Sequence, residues 1–282
     1  MTRSTIQNSK NTQNRLPGGP AAARELHRSP LQKAARRILV AAIWIAVWYL
    51  AWGIVQQEIL IASPGEVLLR LWRLGSTGDF WVSTLSSLLR IVAGFLLAVA
   101  VGCALAVLCR LSSFAYDLFY PVIRIIRATP VASFIILALI WLNTGSVPVF
   151  ASFLMVFPIV WENVYRGIHS ADKNLLAMAK VFRLTKGSVA RNVYIPSVMP
   201  YFIAACNIGI GMAWKAGIAA EILGVPLHSI GTELYRAKIY LETVDVFAWT
   251  AVVIALSVVI EKVFIGFLKK AGEQYSLMEQ EG

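Results

Sequence analysis

The sequence predicts an all-α integral membrane protein of about six transmembrane helices, with its N-terminal and C-terminal ends both on the cytoplasmic side. Three observations carry this prediction: the composition, a series of apolar runs near membrane thickness, and the uneven placement of lysine and arginine. Of 282 residues, 58% are hydrophobic and only 15% charged, against about 25% charged in an average soluble domain. A soluble fold this apolar would have to expose its excess to water.

The runs follow one another along the chain. A span needs about 20 mostly apolar residues to cross roughly 30 Å of hydrocarbon. The six candidate runs are 38–55, 88–109, 128–142, 147–161, 201–220 and 246–260. The third is short unless its helix begins near Phe119, and it carries Pro130; the fourth is also short and carries Pro148 and Pro158. Only Asn143–Ser146 separates these two, so a tight helical hairpin is the simplest arrangement and a re-entrant pair the alternative. The fifth is interrupted by Lys215, and the sixth can continue to Leu268 past Glu261 and Lys262.

Orientation follows from the flanks. With the N-terminus inside, twenty of the 26 basic residues fall in inner segments and four (Arg70, Arg73, Arg236 and Lys238) in outer ones. Arg90 and Lys215 remain within spans. This is the positive-inside bias. The resulting organisation is a polar, disordered cytoplasmic tail over 1–36 and a first transmembrane helix over 37–57. A core follows over 58–270, containing a cytoplasmic loop at 162–200, and then a cytoplasmic tail over 271–282. The tail at 1–36 is long for a signal-peptide n-region and no A-x-A site follows the first run, so that run is retained.

Several classes are excluded. The net charge of +11 does not form the single basic stripe of a nucleic-acid groove, so nucleic acid is not a partner. Cys103, Cys109 and Cys206 lie in apolar runs without metal-ligand or disulfide spacing, and no metal or catalytic constellation appears. No phosphate loop of the G-x-x-x-x-G-K-[ST] type occurs. The chain is therefore not an enzyme by its own motifs.

Inside the spans, Gly94, Ala98, Gly102 and Ala106 recur at every fourth position, as do Ala205, Gly209, Ala213 and Gly217. Such stripes let helix backbones approach where lipid offers no hydrophobic driving force. Arg90, Pro130, Trp214, Lys215 and Glu221 are the candidate translocation or gating residues. A lysine within a span costs about 2.5–3.5 kcal/mol at the bilayer centre unless it meets protein or water. Lys215 is expected either to snorkel or pair with Glu221 or another carboxylate, or to face a path for an anionic solute. A stand-alone carrier driven by protons is disfavoured, because no six-plus-six duplication and no membrane-centre carboxylate or histidine chain is visible.

The loop at 162–200 contains Asp172–Leu184, with Leu175, Leu176, Met178, Ala179 and Phe182 interleaved with Lys180 and Arg183. This is a short amphipathic helix pattern, suited to anchoring on lipid or to docking a cytoplasmic partner. The loop resembles the E-A-A-x3-G-x9-I-x-L-P motif of ABC importer permeases of the nitrate/sulfonate/taurine type. Anchored on Val193–Pro196, the motif places Arg183 at its glycine and Ala177, Met178 and Ala179 at E-A-A; Ala179 and Pro196 match, whereas Ala177 and Arg183 replace the glutamate and glycine.

Further segments are similar to that family: Ile59–Glu66, Ser87–Phe95, Tyr120-Pro121, Arg127–Pro130, Trp214, Ala219–Glu221 and Gly224. The resemblance implies a type I importer permease in the plasma membrane, forming the pathway for a small anionic or zwitterionic solute. Its implied partners are a second permease chain forming a homodimer, ATP-binding subunits and an extracytoplasmic solute-binding protein. The chain itself would bind no cofactor, ATP being used by the partner. The implied ATPase-coupling residues are Leu176, Ala177, Met178, Ala179, Phe182, Arg183, Leu184 and Pro196.

Overall fold

The computed structural model describes the backbone from Pro30 to Gln280, and side chains for 35–36 and 38–266. Among the described residues all regular structure is helical. Helix α1 (Pro30–Val55) forms one unit with the residues up to Gln56, and the rest of the chain forms a second unit. Residues 30–36 of the tail expected over 1–36 are helical, because α1 already begins at Pro30, where proline suits the first turn. Residues 1–29 lie outside the described residues.

The second unit opens on α2 (Pro64–Gly75), an outer helix for which the apolar runs gave no signal. Ser63 caps it by accepting the Glu66 N–H at 3.2 Å, and Pro64 occupies the first turn. The Ser-Pro-Gly-Glu segment therefore has a local reason: it starts a helix. Helix α3 (Gly78–Leu111) begins well before Leu88. Its outer turns carry Ser83, Thr84 and Ser87, which hydropathy scores against a span although all three are buried in protein.

The third span is corrected. Helix α4 (Ser113–Ala128) and helix α5 (Val131–Trp141) are separate and meet at 106°. The eleven residues of α5 cover only about 16 Å, too short to span alone. Pro130 is the cause: it lacks an N–H and forces the preceding Thr129 into extended backbone, so the helix cannot run through. Five helices are long and apolar enough to cross, or six if the bent pair counts as one.

Helix α6 (Val147–His169) follows the tight turn after α5 and keeps Pro158 within it. A short helix α7 (Lys173–Val181), one turn α8 (Lys186–Val189) and a π turn (Ala190–Tyr194) lead into α9 (Ile195–Gly224). The loop expected over 162–200 is narrower, since its first residues belong to α6 and its last to α9. An outer helix α10 (Ile230–Ile239) precedes α11 (Thr243–Gln280). Because α11 is unbroken, no boundary falls at 270, and Glu261 and Lys262 sit within it.

The core is α6 with α3 and α9 laid against it. A Cβ on Gly94 would collide with the Val149 carbonyl and would lie 2.8 Å from Ser152 Cβ. A Cβ on Gly102 would lie 3.0 Å from Val160, and one on Gly209 would lie 3.0 Å from Val156. One on Gly217 would run into Ile91 of α3 and lie 2.8 Å from the Ser152 hydroxyl. Ser152 Oγ donates to the Ala213 carbonyl at 3.0 Å, stitching α6 to α9 in the fully buried zone. Phe95, Ile91, Val156 and Val160 fill the seam.

At the outer edge, Arg70 grips Asp245 of α11 through two hydrogen bonds of 2.5 and 2.6 Å, which hold the guanidinium above its usual pKa. Thr243 Oγ1 donates to the Ile59 carbonyl beside them at 2.6 Å. The glycine seam predicts a contrast. Gly94→Ala should lower the stability of the purified protein by about 1–3 kcal/mol, seen as a drop in thermal midpoint. Gly53→Ala, where the added Cβ meets nothing within 4 Å, should leave the midpoint unchanged or slightly raised.

Candidate functional site

The charge bias assigns the α7 end to the cytoplasm and the α10 end to the outside, and the predicted site residues separate into three groups along this axis. At the inner end, Asp172 caps α7 by accepting the Asn174 N–H at 2.8 Å. Ala179 is buried and Leu176 half-buried beneath the helix. Leu175, Met178, Val181 and Phe182 remain 47%, 53%, 78% and 70% exposed. Ala177, Arg183 and Leu184 are also exposed, and Pro196 sits in the first turn of α9. A short helix thus buries one residue and turns an apolar face outward.

The end of α7 explains the motif's glycine. Arg183 has φ of 52°, the left-handed region that costs an L-residue with a Cβ about 1–2 kcal/mol. Leu184 N–H donates to the Ala179 carbonyl at 2.9 Å and Arg183 N–H to the Lys180 carbonyl at 3.1 Å. This is a Schellman cap, whose left-handed position is normally glycine. The chain keeps the geometry with the wrong residue for it.

Nearby, Tyr116 of α4 stacks on Trp161 and Tyr165 of α6, with ring centroids 6.0 and 5.0 Å apart. Arg127 of α4 pairs with Glu162, which also takes Arg166 at 2.5 Å. Both ends of α4 therefore contact the same stretch of α6, so α4 crosses α6 instead of running along it. The Arg127 ion pair pins the bend at Pro130, which is itself exposed.

At the outer end, Glu221 is 0% exposed. It accepts the Ser87 hydroxyl at 2.8 Å and the Gly231 N–H at 3.1 Å on one oxygen. Arg90 lies 3.8 Å from the other oxygen, and its guanidinium donates to the carbonyls of Leu227 and His228 at 3.0 and 3.2 Å. Ser87 accepts in turn from the Ile230 N–H at 2.9 Å. Val225 and His228 both have positive φ, of 47° and 49°, a strained state for a β-branched valine. Arg90, Ser87 and Glu221 form a latch that holds this bent loop and the start of α10 onto α3 and α9.

Among the candidate gating residues, Arg90 and Glu221 are thus occupied within the protomer. Trp214 is as well, 2% exposed with its indole N–H donating to the Val253 carbonyl of α11 at 3.2 Å. Of the alternatives for Lys215, pairing with Glu221 does not form, Glu221 being taken by Ser87, Gly231 and Arg90. Lys215 is exposed, between buried Trp214 and Ala216. Sequence reading missed Ser87, whose only signal was its place in the Ser87–Phe95 segment.

Residues 94–270 match the family described as the binding-protein-dependent transport system inner membrane component. The chain belongs to this family of ABC importer permeases. It is 27% identical to a nitrate import permease protein, NrtB, from a Synechocystis species, over 77% of this chain and 84% of the relative. It is 24% identical to the taurine transport system permease protein TauC of Escherichia coli, over 78% and 82%. A crystal structure of an amino acid ABC transporter with histidines shares the fold, with a TM-score of 0.59 and 17% identity, covering 72% of this chain and 97% of that one. The relatives are transport permeases, and the chain is a multi-pass membrane protein of the same kind.

Two substitutions probe these ends. Ser87→Ala strands the buried Ile230 N–H and weakens the seat of Glu221; it should cost about 2 kcal/mol or more, read as a lower thermal midpoint. Arg183→Gly should raise the midpoint by the equivalent of about 1 kcal/mol, because it relieves the left-handed strain.

Proposed function

We propose that this chain forms the translocation pathway of a plasma-membrane ABC importer for a small anionic or zwitterionic solute. It acts as a homodimer fed by an extracytoplasmic binding protein and driven by separate ATP-binding subunits. The solute class is supported by the relatives, which are named for nitrate and taurine import, and by the exposed cation Lys215 within α9.

The coupling element is α7. The observation that carries this assignment is its exposed apolar face, Leu175, Met178, Val181 and Phe182, on the loop that resembles the family's coupling motif. Such a face, seated in a groove of the ATPase, transmits a rigid-body displacement into the spans. The connection is short: Thr185 caps α8, the π turn follows, and α9 begins at Ile195. A π turn inside a helical stretch is a common place for a functional irregularity. Pro196 in the first turn of α9 tolerates the missing N–H there.

Met178→Asp or Phe182→Asp should abolish transport and reduce binding-protein-stimulated ATP hydrolysis by about tenfold or more. A buried charge facing an apolar groove costs well above the roughly 1.4 kcal/mol that a tenfold loss represents. Hydrolysis still stimulated to the original level in reconstituted complexes would reject α7 as the coupling helix.

A further inference from the structure

Where α3, α6 and α9 reach the inner end, they do not close on one another. A cavity of about 510 Å³ opens between them, within the roughly 300–1,000 Å³ of sites that hold small molecules. Its walls are Val107 and Leu111 of α3, Val164 and Ile168 of α6, and Val198 and Phe202 of α9. Ala190 and Tyr194 add the π turn that leads into α9. Beside the cavity α6 and α9 do touch: a Cβ on Gly167 would lie 3.0 Å from the Val198 Cα and 3.2 Å from the Tyr201 ring. The gap is therefore bounded by walls already packed on each other. Its lining shares no residue with α7, the Glu221 latch or the candidate gating residues.

Among the described lining residues Arg110 alone is charged. It is exposed in the last turn of α3, which ends at Leu111, so the cation sits where the span leaves the hydrocarbon. Among the described residues it forms no salt bridge. Val107 and Leu111 are 48% and 80% exposed, so an apolar wall runs from the cavity out to the surface of α3. An empty apolar gap forfeits the dispersion contacts of its lining, and water does not restore them. A hydrocarbon chain does. Basic pockets between transmembrane helices on the cytoplasmic side suit the anionic headgroups of that leaflet.

We infer that this cavity is a binding site for an anionic phospholipid of the inner leaflet, with an acyl chain between α3, α6 and α9 and the phosphate at Arg110. Arg191, exposed in the same π turn as Ala190 and Tyr194, adds positive charge at the same end of the molecule. The site lies at the join between the cytoplasmic loop and α9, so a seated lipid ties α3 and α6 to the entry of α9. It is independent of the solute carried and of the ATPase docking proposed above.

The test is native mass spectrometry of the full-length protein, purified in mild detergent with the subunits that accompany it. The probes are phosphatidylglycerol and phosphatidylcholine with identical acyl chains, supplied in equal amounts. The unsubstituted protein should retain phosphatidylglycerol about tenfold or more over phosphatidylcholine, the worth of one charged hydrogen bond. Arg110→Gln should bring the two to near equality. Ala190→Trp, which fills the mouth from an exposed position, should lower retention of both lipids with unchanged helical circular dichroism. Arg124→Gln removes a cation that lines a different inner cavity and should leave the preference in place.

Equal retention of the two lipids by the unsubstituted protein, a preference that survives Arg110→Gln, or one lost equally in Arg124→Gln would each overturn the site. Retention undiminished by Ala190→Trp overturns it as well. A change in the number of permease chains in that variant's assembly would then identify a second copy as the occupant.

Discussion

Close backbone contact through Gly94, Gly102, Gly209 and Gly217 brings α3 and α9 against α6, and the other elements take their places from that three-helix seam. In lipid, helices gain nothing by hiding apolar side chains from water, so association depends on dispersion contact and on a few interhelical hydrogen bonds. The seam supplies both. Small residues allow the approach, and Ser152 bonds to the Ala213 carbonyl where the helices are closest. Gly217 faces Ile91 and Ser152 together, so one glycine serves α3 and α6 at once.

The two ends of the seam are finished differently. At the outer end a fully buried carboxylate, Glu221, is held by Ser87, the Gly231 N–H and nearby Arg90. Removing Ser87 takes a hydrogen bond from both the Ile230 N–H and the Glu221 carboxylate, so these buried groups depend on one another. It fastens a loop with two residues in left-handed backbone, a conformation that persists only when its surroundings over-determine it. At the inner end α7 buries little and presents apolar side chains outward, as a helix built to meet a partner does. The middle is tightly packed, the outer rim is latched, and the inner helix, the proposed coupling element, is the most exposed of the three.

Much of this was legible from residues alone. Fourfold spacing of small residues marked the two faces that meet α6, because a period near 3.6 maps directly onto one side of a helix. The resemblance at 177–196 was recognisable despite Arg183, and that residue has φ of 52°, the left-handed backbone that glycine favours. The third span was misjudged, since hydropathy averages over Pro130 and cannot see that the backbone turns by 106° there. The start of α3 was placed too late for a related reason. Ser83, Thr84 and Ser87 look like loop residues until one knows that protein, not lipid, surrounds them.

The sequence by itself determined that the chain crosses a bilayer several times, which helix faces must touch, and which loop resembles a coupling motif. These follow from solvation and from helical period, both properties of short stretches of chain. Only the tertiary structure decided what each charge within the spans is for. Arg90 and Glu221 share one latch though 131 positions separate them, whereas Lys215 is exposed between two buried neighbours on α9. Such differences depend on which residues are brought together from distant parts of the chain, and no local pattern encodes that.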